Sequence, residues 1–211
     1  HNHDLSITGG TEKTKVLFAV NYTDEDGMKL ASYYKRANVS LKVNQKIAKN
    51  VDISLDTRYT NTKKMGDEGV RNGSGSVLSS SYRFRPIATE NILGDLNAMN
   101  EGMIENYAKQ SQWDRYNPVN RINDNYSPKD YQALRGILSL NWEIVKGLTY
   151  HSDLSLNQSW NQNKTWTGAI VNSYMDDNTG EILYAGNAEL EKSNKWGLRW
   201  SNTLNYDFSL G

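Results

Sequence analysis

The sequence predicts an all-β chain, an antiparallel transmembrane β-barrel segment of about seven strands with short turns at one end and long loops at the other. Apolar and polar residues alternate within segments of about ten residues, and the connections between segments alternate short and long. Tyr and Trp gather near the loop ends of the apolar faces. Successive side chains of a strand point to opposite faces, so such a segment has one greasy and one wet face.

The first strand is read over Asp4 to Gly10, with Leu5 and Ile7 opposite Ser6 and Thr8, and Thr11-Glu12-Lys13-Thr14 reverses the chain. The second runs from Lys15 to Thr23 on Val16, Phe18, Val20 and Tyr22, and Asp24-Glu25-Asp26-Gly27 reads as a turn within a loop of moderate length. The third, Tyr34 to Gln45, sets Ala37, Val39, Leu41 and Val43 against Arg36, Asn38, Ser40, Lys42 and Asn44. After a short turn at Lys46 to Asn50, the fourth alternates Val51, Ile53, Leu55, Thr57 and Tyr59 with Asp52, Ser54, Asp56, Arg58 and Thr60.

Thr62 to Pro128 is too long for an ordinary connection. Gly69 to Ser76 has linker composition, and short helices are expected over Ser76 to Phe84 and Leu93 to Lys109. The fifth strand, Leu134 to Ile144, alternates most cleanly, and Val145-Lys146-Gly147 turns the chain. The sixth keeps Leu148, Tyr150, Leu154, Leu156 and Trp160 on one face and His151, Asp153, Ser155 and Asn157 on the other. A second excursion, Asn161 to about Glu191, carries a hairpin of its own, Ile170 to Met175 against Glu181 to Ala185, turning at Asp176-Asp177-Asn178-Thr179-Gly180. The seventh strand presents Trp196, Leu198, Trp200, Leu204, Tyr206 and Phe208, with Asn202 interrupting that face.

Composition narrows the class. The 211 residues are 37% hydrophobic with a mean hydropathy of −0.75, and no run approaches the ~18 apolar residues of a spanning helix. Lys+Arg and Asp+Glu both total 24, so no global field favours nucleic acid. Cysteine is absent, which excludes disulfides and thiol chemistry. The 13 Tyr and 6 Trp against 3 Phe favour a membrane interface or a surface that binds sugars or peptides. Tyr22, Tyr59, Trp160 and Trp196 stand where an aromatic girdle belongs. A soluble sandwich also has period two, so a secreted carbohydrate-binding β-domain is the competing reading, and a passive porin-like protein is a third.

His3-Asp4-Leu5-Ser6-Ile7-Thr8-Gly9-Gly10-Thr11-Glu12-Lys13-Thr14-Lys15 resembles a stretch of the SusC/RagA-type TonB-linked outer-membrane proteins (TonB-dependent receptors). Tyr22 to Gly27, Tyr34-Lys35-Arg36-Ala37-Asn38, Gly73 to Leu78 with Arg83-Phe84-Arg85-Pro86, Tyr116-Asn117-Pro118 and Ile144 to Tyr150 are similar to further family stretches in the same order. The resemblance implies a nutrient importer in the outer membrane of a Gram-negative, Bacteroidota-like bacterium, with periplasmic short turns and extracellular long loops. It implies a large barrel plugged by an N-terminal domain, a SusD-like surface lipoprotein, energy from the TonB complex through the plug, and an oligosaccharide or peptide substrate. Residues 1–211 then correspond to part of the barrel domain, without the plug or the remaining strands, and the chain carries no leader pattern at His1-Asn2-His3.

No catalytic group, metal site or cofactor is expected. His1 and His3 read as a chain start, His151 with Asp153 as a solvated face, and Asp176 to Gly180 as a turn rather than a calcium loop. Asn-x-Ser/Thr at Asn21, Asn38, Asn72 and Asn157 reads as chance, and no nucleophile elbow or phosphate loop occurs. Recognition is expected in the long loops, where Trp113, Tyr116, Tyr126, Trp166 and Tyr174 are the candidate contacts for substrate or partner.

Overall fold

The computed structural model describes residues 1–66, 81–82, 118–168, 174–183 and 186–208. In chain order they form β1 (Asn2–Gly10), β2 (Thr14–Asp26), β3 (Tyr33–Ala48), β4 (Val51–Met65), α1 (Pro118–Asp124), β5 (Asn125–Tyr126), β6 (Lys129–Val145), β7 (Leu148–Thr167), β8 (Tyr174–Met175), β9 (Ile182–Leu183) and β10 (Asn187–Tyr206). The long strands make one antiparallel sheet in the order β1-β2-β3-β4-β6-β7-β10, with β5 beside β7 and the β8–β9 hairpin separate. Every neighbour in the main sheet is next in sequence apart from the inserted short elements, so the wall is a meander.

Turn chemistry explains the short end. The Thr11 hydroxyl accepts from the backbone N–H of Lys13 at 3.3 Å and of Thr14 at 3.1 Å, while Thr11 N–H donates to the Thr14 carbonyl at 2.7 Å. Gly10, at φ +153°, passes so close to the Thr14 carbonyl that a Cβ would collide with it, which accounts for Gly-Thr at this reversal. At the β6–β7 turn Gly147 has φ +85°, a left-handed conformation that follows the register shift between Glu143 and Val145.

The expected strands are present, and most extend further. Asp24 to Asp26 belong to β2 and pair with Tyr33 to Lys35, so the expected turn there moves to Gly27–Ser32. The β3–β4 turn contracts to Lys49-Asn50, and Asn50 exchanges hydrogen bonds with the Glu143 backbone on β6. β7 continues to Thr167 and β10 starts at Asn187, which shortens the second excursion; its hairpin forms as Tyr174–Met175 against Ile182–Leu183. Ser81 and Tyr82 are helical, and the rest of the two helices expected between β4 and β6 lies outside the described residues. The short helix α1 was not expected; Pro118 opens it, where a missing N–H costs nothing.

Register converts the alternation into a surface. Leu55, Leu138, Leu154 and Trp200 are successive cross-strand partners, as are Thr57, Gly136, Leu156 and Leu198. Leu138 is 46% exposed and Trp200 68%, so no described residue is packed over this part of the apolar face. Two adjacent rows above hold the girdle: Tyr22-Ala37-Asn61-Gln132-Trp160 and Val20-Val39-Tyr59-Leu134-Gln158-Trp196. A second aromatic row closes the face below, with Trp142 opposite Tyr150 and Tyr206 one step further on β10. Trp160 to Tyr150 is ten residues on one strand, about 34 Å at ~3.4 Å each and about 26 Å after a ~40° tilt, the height of a barrel's lipid-facing band.

Polar groups on that face are capped by aromatic handles. Asn202, which interrupts the pattern, accepts from the Tyr150 hydroxyl at 2.6 Å, and Ser152 opposite it accepts from Trp200 Nε1 at 2.9 Å. In hydrocarbon each unmet polar group costs free energy, so these pairings let two polar residues sit among Leu and Trp.

Candidate functional site

The other face of the wall is polar and internally bonded. Asn21 donates to Asn2 at 3.0 Å and to Asp4 at 2.5 Å, and Thr23 also donates to Asn2 at 3.0 Å. Asn38 donates to Asn21 at 3.0 Å, and Asn38 in turn accepts from Thr60 at 2.9 Å and from Arg36 Nε at 3.1 Å. Side-chain amides therefore form a ladder across β1 to β4, which needs water or polar content opposite rather than lipid. Asn21 and Asn38 are thus ladder members. Lower on the same face Lys42 pairs with Asp56 at 2.9 Å, and His151 meets Asn141 at 2.6 Å through Nδ1 and Asp153 at 2.8 Å through Nε2.

Of the five loop aromatics singled out from sequence, two meet. Tyr126 on β5 is the cross-strand partner of Trp166 on β7, at 49% and 53% exposure. Forty residues separate them, and the register of β7 against β10 runs unbroken, so Trp166 stands on the face of Leu154, Leu156 and Trp160. It is six residues beyond Trp160, which places the pair about 16 Å above the upper girdle by the same rise and tilt. Tyr174 lies in β8, apart from them; Trp113 and Tyr116 lie outside the described residues.

Sequence reading missed what surrounds the pair. A cleft of about 180 Å³ opens beside Tyr126, walled by Tyr33, Lys63, Pro128, Asp130, Gln162 and Lys164. It exists because β5 continues the lane of β6 after a break at Ser127-Pro128, where the Pro128 carbonyl still accepts from Lys164 N–H at 3.1 Å. The α1 end is tied down by Gly168 N–H donating to the Asp124 carbonyl at 2.8 Å and to Asn125 Oδ1 at 3.3 Å. Asp130 keeps one enclosed carboxylate oxygen without a hydrogen bond. Above the girdle on β2 and β3, Lys35 bonds Asp24 at 3.1 Å and holds its carboxyl below the usual aspartate range. Among the described residues no group of three or more His, Asp or Glu is spaced to hold a metal ion, and no helix is long and apolar enough to cross a membrane.

Known structures share this fold. The RagAB peptide importer in its closed-closed state superposes on the whole chain with a TM-score of 0.68 at 16% identity, and the chain covers 22% of it. The ferric-catecholate import receptor Fiu of E. coli K12 superposes on 99% of the chain with a TM-score of 0.56 at 13% identity, of which 29% is covered. The fold is that of a TonB-dependent receptor barrel. In sequence, TonB-dependent receptor P3 of Formosa agariphila is 29% identical over 89 residues, 40% of this chain and 9% of that protein. No family model matches the chain. The chain thus spans under a third of the length of each of these barrels. The Tyr126–Trp166 pair and its cleft stand at the long-loop end of the wall, away from the short turns at Thr11–Lys13 and Lys146-Gly147.

Proposed function

We propose that this chain is an arc of the barrel wall of a TonB-dependent nutrient importer of the SusC/RagA type in the outer membrane of a Gram-negative bacterium. The observation that carries the proposal is the two-faced meander, with a ~26 Å apolar band between aromatic rows on one side and a bonded polar ladder on the other. Likeness of the whole chain to a peptide importer of that architecture supports it. In this reading the band contacts outer-membrane lipid, and the polar face looks into a lumen occupied by a plug domain through which TonB delivers energy. The chain forms part of the barrel domain, an oligosaccharide or a peptide is the substrate, and no enzymatic step is involved.

The five loop aromatics are proposed contacts at the rim. For Tyr126 and Trp166, standing on the lipid-side face above the membrane supports contact with a SusD-like surface lipoprotein rather than with cargo inside the lumen. The amphipathic faces of both rings suit such a contact.

The test is growth and uptake. Cells in which the gene carrying this chain is deleted should lose uptake of one class of oligosaccharide or peptide, and deletion of tonB should abolish the same uptake. Uptake that persists without TonB supports a passive porin instead. A wild-type protein that fractionates as soluble and monomeric without detergent overturns the membrane reading altogether.

A further inference from the structure

Within the height of the apolar band, two like charges face each other on the polar side. Arg58 on β4 and Arg135 on β6 are direct cross-strand partners, both exposed. Like charges directly opposite are destabilising. Yet neither guanidinium has a hydrogen bond or an ion pair to any described residue. The nearest acidic position along β4 is Asp56, which Lys42 engages at 2.9 Å. Across the sheet their row reads Ser40, Arg58, Arg135, Asn157 and Gly197, with no acid among them. Arg58 also borders a 340 Å³ hollow shared with Arg36, Asn38, Ser40 and Asp4, and the Asp4 carboxylate is engaged by the Asn2 and Asn21 amides across β1 and β2.

We infer that Arg58 and Arg135 form a carboxylate-binding site on the lumen wall. Guanidinium groups carried on directly opposed positions can both donate N–H to one planar carboxylate, and Ser40 and Asn157 add neutral polar side chains on either side of the row. The site lies two residues above the row of Ser155, the middle of the band, so the low-dielectric wall behind it strengthens both the repulsion and the attraction of an anion. A bound carboxylate turns a like-charge clash into a clamp. In the importer reading, on which this inference rests, the cargo is then an acid-bearing solute, or an acidic side chain of lumen-filling polypeptide occupies the pair in the resting state.

The experiment uses the full-length protein purified from outer membranes in detergent, with triglutamate as probe and triglutamine as neutral control. If the carboxylate belongs to cargo, triglutamate binds more tightly than triglutamine by about tenfold or more, Arg58→Gln with Arg135→Gln erases the difference, and Arg58→Lys retains part of it. If it belongs to polypeptide in the lumen, neither peptide binds, the double variant unfolds at a lower temperature than wild type, and its pore conductance in planar bilayers rises. The inference is overturned if the double variant binds both peptides as wild type does with unchanged stability. It is equally overturned if the double variant is more stable with no loss of binding, since that is relief of an unoccupied repulsion. A wild-type protein absent from the outer-membrane fraction overturns the importer reading separately, before any variant is compared.

Discussion

Replacing Leu138 by arginine puts a charge on the apolar face at the level of Leu55 and Leu154, its cross-strand partners. Leu154 lies one residue from the midpoint between Trp160 and Tyr150, within about 3 Å of the bilayer midplane after tilt. At that depth an arginine costs about 2–4 kcal/mol, a factor of roughly 30 to 1,000 in the folding equilibrium. Ser139→Arg, one residue along, turns to the polar face opposite Ser54 and Asp153. There water and a carboxylate neighbour keep the cost below about 1 kcal/mol. The assay is urea titration of the full-length barrel refolded into phospholipid vesicles, read by tryptophan fluorescence. Equal losses at the two positions, or a larger loss at Ser139, would refute lipid contact on the Leu138 face.

Three further outcomes follow from particular contacts. Tyr150→Phe removes the donor to Asn202 and should cost about 1–3 kcal/mol in the same titration, with Asn202→Leu added in the Phe background recovering most of it. Gly10→Ala drives a methyl into the Thr14 carbonyl and should destabilise by at least about 1 kcal/mol, whereas Gly9→Ala, where nothing lies within 4 Å, should cost less. If the proposed lipoprotein contact holds, Tyr126→Ala with Trp166→Ala should weaken capture of a SusD-like lipoprotein by about tenfold or more in a pull-down from solubilised outer membranes, while barrel stability stays within about 1 kcal/mol.

Within the apolar band the strands were legible because one apolar and one polar face impose period two on every residue. Beyond the band both faces meet water, so the pattern fades although pairing continues. Asp24-Glu25-Asp26 looks like a turn by composition, yet its backbone pairs with Tyr33 to Lys35, and Gln162 to Thr167 likewise continue β7. Four girdle aromatics were visible from their positions at strand ends, but their alignment in two rows depends on register between strands. The pairing of Tyr126 with Trp166 has no local signal, since it requires β5 to resume the lane of β6 after a proline break. Arg58 and Arg135 read as ordinary wet-face residues until the register sets them opposite each other. Helix α1, at seven residues, is too short to display a helical period.

Residues 1–211 contain no cysteine, so single cysteines introduced along β6 meet no background from this part of the wall, and the full-length protein without an introduced cysteine sets the baseline. With the full-length protein in native outer membranes, each position from Leu134 to Trp142 is replaced in turn and treated with a membrane-impermeant maleimide. The two-faced wall predicts alternation: labelling at Arg135, Ile137, Ser139 and Asn141, and protection at Leu134, Gly136, Leu138 and Leu140. Labelling that is uniform along the strand, or protected at the odd positions instead, would contradict a wall with lipid on one side and a wet lumen on the other.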